Sequence, residues 1–221
     1  MFRMLLCATF IILQSSIFVS CSEKDNSVEE FANWQEVNEN YFSNLYTQAQ
    51  QKIASDDTRW KIIRQWSLEE SVATLPVNYI VVHVLEEGKG TECPMFTDSV
   101  RVHYSGKLIP STTFTTGYVF DKSYYGNFDK DSSRPATFRC SSSLVDGFAT
   151  ALMNMHIGDR WEVYIPHQLG YGANGTTNSS GATVIPAYST LIFDITMVSF
   201  YRADEIPPTF QAKENNGWIE E

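Results

Sequence analysis

Residues 99–108, Ser-Val-Arg-Val-His-Tyr-Ser-Gly-Lys-Leu, form a short run rich in β-branched and aromatic residues, and such a run reads as a β-strand. The same texture extends outward from it. Beyond Pro76, further runs of this kind at 77–85, 118–121, 136–139, 160–165 and 190–201 are punctuated by Gly, Pro and Asn, the residues of turns. One helix interrupts them. Over 144–155, Leu144, Phe148, Ala151 and Leu152 fall on one helical face, and Gly158 ends the segment shortly after. One helix against an antiparallel sheet buries a single apolar layer between them, so the expected class is α+β, with no internal repeat.

Towards the N-terminus the pattern changes. From 28 to 53, Phe31, Trp34, Val37, Tyr41, Leu45, Ala49 and Ile53 recur in steps of three and four, which draws one stripe along an amphipathic helix. Packing on the chain's own domain is the favoured role of that stripe; a dimer or partner surface is the alternative. A second helix is expected over 57–70, carrying Trp60, Ile63 and Trp66, with Asp56 or Asp57 as N-cap. The first twenty residues, MFRMLLCATFIILQSSIFVS, hold one Arg, no acid and apolar stretches broken by Gln14, Ser15 and Ser16. A permanent span needs about 20 predominantly apolar residues, so this is the pattern of a cleaved signal peptide. Phe18-Val19-Ser20-Cys21 resembles a lipobox, whose Cys is acylated before cleavage, although Phe stands where Leu is usual. An ordinary cleavage site with an incidental Cys is the other reading. Ser22-Glu23-Lys24-Asp25 looks like the acidic export signals of surface lipoproteins in the Bacteroidetes. The expected organisation is a leader at 1–20, a helical segment and linker at 21–75, the main domain at 76–202 and a loose tail at 203–221, rich in Pro and Asn. The expected location is the bacterial cell envelope, lipid-anchored through Cys21, periplasmic or surface-exposed.

A chain of 221 residues accommodates one domain of ordinary size with an accessory segment, and an aromatic content of 14% excludes disorder of the whole. The formal net charge of −10 disfavours nucleic-acid binding and otherwise favours solubility. Of the four cysteines, Cys93 and Cys140 remain in the body of the protein, as a disulfide or as two buried thiols. Their spacing makes no zinc motif, and no metal site is expected. Polar catalysis finds little support: GxSxG, HExxH and P-loop patterns are missing, and His83, His103, His156 and His167 lack motif partners.

What stands out is an ordered series of short motifs. Val102-His103-Tyr104-Ser105-Gly106-Lys107-Leu108 is followed by Val119-Phe120-Asp121-Lys122-Ser123, Leu144-Val145-Asp146-Gly147-Phe148 and Gly158-Asp159-Arg160. Then come Ile165-Pro166, Leu169-Gly170-Tyr171-Gly172, Val184-Ile185-Pro186 and Leu191-Ile192-Phe193-Asp194. This order, over roughly 79–201, is similar to that of the FKBP-type prolyl isomerases. The resemblance implies a five- or six-stranded antiparallel sheet wrapped around one short helix, which the N-terminal helical segment read from the apolar stripe would precede. It also implies an apolar cavity for a proline ring, lined by Tyr104, Phe120, Asp121, Phe138, Leu144, Val145, Phe148, Tyr171, Ile185 and Phe193. Phe148 would form the floor, where the best-studied members place Trp. The Tyr171 hydroxyl and the Ile185 backbone N–H would be donors to the substrate. Asp121 would orient Tyr104 or contact the surroundings of the twisted carbonyl.

An apolar site suits this chemistry, because rotation about a peptide C–N bond breaks no covalent bond and moves no obligatory proton. Its barrier of about 18–20 kcal/mol arises from amide resonance. A low-dielectric cavity disfavours the charge-separated planar amide, and fixed donors around the twisted form bind it selectively. The implied substrates are Pro-containing polypeptides outside the cytoplasm; macrolide inhibitors are further implied ligands, and no cofactor is implied. Taken singly, Phe120, Phe138, Val145 and Phe193 would be apolar core in almost any β-rich fold. Tyr171 between two glycines and Asp121 after Phe120 are harder to explain that way. The family's compact connections are lengthened at 109–119, 124–133 and 174–183, and Ala136 stands where an aromatic is common. A peptide-binding or chaperone module with weak turnover is the alternative function.

Overall fold

The structure, a computed structural model, describes residues 29–130, 132–141 and 143–203. The leader, Cys21 and the tail beyond Ala203 lie outside the described residues.

The elements in chain order are α1 (Trp34–Ala54), β1 (Trp60–Arg64), β2 (Tyr79–Glu86), β3 (Ser99–Leu108), β4 (Val119–Lys122), β5 (Ala136–Arg139), α2 (Asp146–Leu152), β6 (Arg160–Ile165), β7 (Thr176–Thr177), β8 (Thr183–Ile185) and β9 (Leu191–Tyr201). Single 3-10 turns occupy Pro76–Asn78 and His167–Leu169. The α+β architecture expected from the sequence is the one observed. Seven strands form an antiparallel sheet in the order β1-β2-β6-β9-β3-β4, with β5 also paired to β3. β3 is long enough to carry two short neighbours on one edge: Ser99 to Val102 pair with β5, and Ser105 to Lys107 with β4. Its other edge pairs over its whole length with β9.

α2 is seven residues long, and Gly147 through Leu152 are all buried. It approaches the sheet closely because position 147 has no side chain: a Cβ there would lie 2.3 Å from a methyl of Ile165. The layer between helix and sheet is built from residues such as Ile80, Val102, Leu152, Trp161, Ile195 and Phe200, all fully excluded from solvent. Trp34, Phe42, Leu45 and Ala49 of α1 belong to the same continuous core.

Three expectations need correction. The second helix expected over 57–70 is instead β1, an added edge strand that brings the sheet to seven strands. The Asp57 carboxylate accepts from the backbone N–H and guanidinium of Arg59, forming a turn instead of a helix cap. Ile62 and Ile63 are β-branched, and the Trp60 ring stacks on His83 of the neighbouring strand at 4.6 Å between centroids. The second correction concerns the face of α1. The buried side runs Trp34, Asn38, Phe42, Leu45, Ala49, while Val37 and Ile53 are 43% and 41% exposed. The apolar steps of three and four missed this because a polar residue, Asn38, sits at the centre of the buried side. Third, the stretch 174–183 is not a plain loop: β7 and β8 pair as a small hairpin, and Asn178 Oδ1 accepts the N–H groups of Ser180 and Ala182 at its tip. Cys93 and Cys140 are both free thiols.

Candidate functional site

A cavity of about 160 Å³ is lined by Tyr104, Asp121, Phe138, Ser143, Leu144, Val145, Phe148, Tyr171 and Phe193, residues of both the sheet and the entry to α2. Six separate stretches of chain meet there. β3 supplies Tyr104, β4 supplies Asp121, β5 supplies Phe138 and β9 supplies Phe193. The loop entering α2 brings Ser143, Leu144 and Val145, the first turn of α2 brings Phe148, and the segment after the 167–169 turn brings Tyr171. Phe148 is 3% exposed and stands edge-on to Phe138, with centroids 5.8 Å apart, and 4.9 Å from Phe193. Tyr104 joins the same cluster at 5.5 Å from Phe138 and 5.8 Å from Phe148. Rings meeting at such angles are held by both area burial and quadrupole attraction.

The polar side of the cavity is set by β3 and β4. The Tyr104 hydroxyl donates to Asp121 Oδ2 at 2.6 Å, and the Lys122 backbone N–H donates to Asp121 Oδ1 at 2.8 Å. Ser123 extends the pairing: its N–H donates to the Tyr104 carbonyl at 2.9 Å, and its Oγ accepts the Tyr104 N–H at 3.0 Å. Both carboxylate oxygens are thus engaged. Burial, then the hydrogen bond to Asp121 and its charge, push the Tyr104 phenol well above its ordinary value. Burial, then the charge of Asp121, likewise raise Tyr171. Both phenols are therefore protonated donors at neutral pH, and Tyr171, 39% exposed, has no hydrogen-bond partner for its hydroxyl among the described residues.

Of the ten residues proposed from sequence, Phe120 and Ile185 do not border the cavity. Phe120 stands edge-on to Phe193 at 5.6 Å, in space left by Gly106, where a Cβ would come within 2.5 Å of the Phe193 ring and 2.7 Å of Phe120. Ile185 is buried at the end of β8, opposite Thr176. Ser143 is a lining residue that the sequence reading missed; a serine in a polar loop carries no signal, and only its place before Leu144-Val145 could have suggested it. No histidine borders the cavity. His103 faces a small neighbouring hollow with Tyr124 and Phe128, which shares Tyr104 with the aromatic cavity, and burial together with the charges of Arg101 and Lys130 holds its imidazole below the ordinary value. A larger hollow of about 250 Å³ sits between α1 and the two 3-10 turns, with Phe42, Leu75, Pro76 and Pro166 in its wall. It shares no residue with the aromatic cavity and lacks any tyrosine–carboxylate pair. Among the described residues, no group of three or more His, Cys, Asp or Glu could hold a metal ion.

Residues 90–198 match the family described as FKBP-type peptidyl-prolyl cis-trans isomerase. The chain is 33% identical over 127 residues to FK506-binding protein 1A of Neurospora crassa, covering 57% of this chain and 92% of that protein. It is 35% identical over 120 residues to the macrophage infectivity potentiator of Trypanosoma cruzi, covering 54% of this chain and 52% of that one. It thus spans about half the length of several curated relatives. Among solved structures, FkpA from Escherichia coli superposes with a TM-score of 0.51 at 25% identity, covering 78% of this chain and 63% of that one.

Proposed function

The chain belongs to the FKBP-type peptidyl-prolyl cis-trans isomerase family, and from that premise we propose that it accelerates rotation about Xaa-Pro bonds in polypeptides outside the cytoplasm. The observation that carries this reading is the cavity floored by Phe148, with the Tyr104–Asp121 pair on one side and, at the mouth, the Tyr171 hydroxyl, which has no hydrogen-bond partner among the described residues.

The proline ring enters the space between Phe138, Phe148 and Phe193, whose apolar faces solvate the charge-separated amide less well than water does. Planarity loses part of its advantage there. As the bond twists, the carbonyl turns relative to the held proline ring, and the Tyr171 hydroxyl is fixed where it donates to the carbonyl in the turned position, so selectivity for the twisted form comes from the placement of the donor. Asp121 is already occupied by Tyr104 and the Lys122 N–H, so its part is to hold Tyr104 and keep negative charge at the rim; it is not a base. The backbone N–H of Ile185 is the second donor implied by the resemblance; we assign the principal donation to Tyr171, which borders the cavity. Uncatalysed Xaa-Pro isomerisation takes on the order of tens to hundreds of seconds, slow enough to limit folding.

The test is isomerisation of cis-enriched Xaa-Pro peptides by the full chain beside Tyr171→Phe and Asp121→Ala. Acceleration that falls in both variants supports the enzyme and its site; no acceleration by a folded wild type refutes it. A peptide-holding module is the second reading, favoured by the Phe148 floor, smaller than the Trp of well-studied relatives. Binding of a macrolide inhibitor without acceleration would select it. For location we propose lipid anchoring at Cys21 in a bacterial envelope of Bacteroidetes type, supported by the 18–21 pattern and the acidic residues that follow. Incorporation of labelled palmitate that is lost in Cys21→Ser tests it; incorporation unchanged in the variant refutes it.

A further inference from the structure

Three consecutive residues, Tyr188, Ser189 and Thr190, join the N-terminal helix to the segment that carries Tyr171. On one side, Trp34 Nε1 donates to Ser189 Oγ at 2.8 Å, and Ser189 Oγ donates onward to the Pro186 carbonyl at 2.7 Å, closing the turn that follows β8. One helical turn further along, Asn38 Oδ1 accepts the Thr190 backbone N–H at 2.7 Å while Asn38 Nδ2 donates to the Trp34 carbonyl at 2.7 Å. Asn38 is fully buried, and Ser189 and Thr190 are nearly so. On the other side, the Tyr188 N–H donates to the Gly172 carbonyl at 2.8 Å, immediately after Tyr171. The Tyr188 ring stands edge-on to His167, whose carbonyl accepts the N–H groups of Gly170 and Gly172. Tyr188 has a φ of 62°, a left-handed conformation that a non-glycine residue keeps only where its surroundings hold it.

We infer that α1 is part of the catalytic apparatus at one remove: Trp34 and Asn38 are positioning residues that fix the 186–190 turn and, through Tyr188 and Gly172, the placement of Tyr171. This rests on the isomerase reading above and extends it to a helix outside the residues that match the family. The physical case is that of polar satisfaction. An amphipathic helix that served only to cover the sheet would present apolar residues at these positions. Here the buried side carries an indole N–H and a carboxamide, each matched to a group on the 189–190 turn more than 150 residues away in sequence. Buried donors and acceptors of this kind cost free energy when left unmatched, so the turn has one favoured position against the helix. The segment before α1 makes a parallel connection on the other flank: Glu30 accepts from the Ser111 hydroxyl and from the Thr113 N–H at 3.0 Å, tying down the loop that leads into β4 and Asp121.

The experiment uses the full chain with Ser189→Ala, Ser189→Thr and Trp34→Phe, reading kcat and KM on a Xaa-Pro peptide and unfolding in urea for each. Ser189→Ala removes both bonds of the hydroxyl, Ser189→Thr restores it, and Trp34→Phe keeps a ring while deleting the N–H donor. The expected result is a loss of about fivefold to tenfold in kcat per folded molecule for Ser189→Ala and Trp34→Phe, a loss in the double variant smaller than the product of the two, and recovery in Ser189→Thr. KM changes less, because the hydroxyl of Tyr171 acts mainly on the twisted amide. Reduced stability with unchanged kcat in Ser189→Ala and Trp34→Phe would make α1 a structural cover and overturn the inference. Should Ser189→Ala fail to fold, Trp34→Phe gives the same reading. A folded wild type with no activity would defeat the isomerase reading itself, which is a separate outcome.

Discussion

Tyr104→Phe removes one oxygen and leaves the ring among Phe138, Phe148 and Phe193, so it isolates the hydrogen bond to Asp121. A bond of 2.6 Å to a carboxylate belongs to the charge-assisted class, worth about 1.5–3 kcal/mol. Tyr104 is 8% exposed but the Asp121 carboxylate reaches solvent, so water replaces the phenol at the carboxylate and no buried acceptor is left orphaned. The lower end applies, about 1.5 kcal/mol, which for a domain of this size lowers Tm by about 4 °C. The freed carboxylate then swings about its remaining bond to the Lys122 N–H, and kcat/KM on a Xaa-Pro peptide falls about fivefold. The alkaline limb adds an independent check. The Tyr104 phenol titrates higher in the folded state than its ordinary value near 10, so its contribution to stability is complete below pH 10 and is lost as pH rises towards the folded value. Tyr104→Phe therefore loses that part of the alkaline decline. Urea unfolding from pH 7 to 11 with parallel peptide assays measures all three effects. Stability within 0.5 kcal/mol of wild type together with unchanged kcat/KM would refute the assignment of Tyr104 and Asp121 as a coupled pair.

Phe148→Ala opens the floor of the cavity and lowers stability by about 3 kcal/mol, below the usual upper values because one face of the ring already borders open space; peptide turnover drops to background. Gly106→Ala places a methyl within 2.5 Å of the Phe193 ring, and about 2 kcal/mol is lost with a changed near-ultraviolet aromatic signal, whereas an unchanged spectrum and midpoint would show that the rings yield freely. Burial pushes the Cys140 thiol up to about 12, so in a chain with Cys7 and Cys21 replaced by Ser, a thiol reagent at pH 8 reacts with Cys93 first and reaches Cys140 only on unfolding. Equal rates at the two thiols in the native state would contradict the burial of Cys140.

Local pattern sufficed where an element's neighbours only had to be apolar. The strands at 99–108, 136–139 and 160–165 were readable to the residue because short β-branched runs end at turn-forming neighbours. β1 was not readable, because Trp60 and Ile63 fit helical spacing equally well and the deciding partner, β2, pairs with it by backbone bonds that leave no trace in side-chain periodicity. The same holds for α1. Asn38 looks like a solvent-facing position in sequence, and only the Thr190 N–H, 152 residues away, explains why it faces inward.

By itself the sequence determined the fold class, the order of the motifs and the aromatic character of the site, since these depend on residue type and spacing along one stretch of chain. The tertiary structure decided which aromatic rings line the cavity: Phe120 and Phe193 share the space that Gly106 leaves, and of the two Phe193 is a lining residue. It also decided that Asp121 is spent on Tyr104 and that the N-terminal helix reaches the turn beside Tyr171. Each of these depends on satisfying a buried ring or a polar group with a partner remote in sequence, and such partners are specified by close packing in three dimensions.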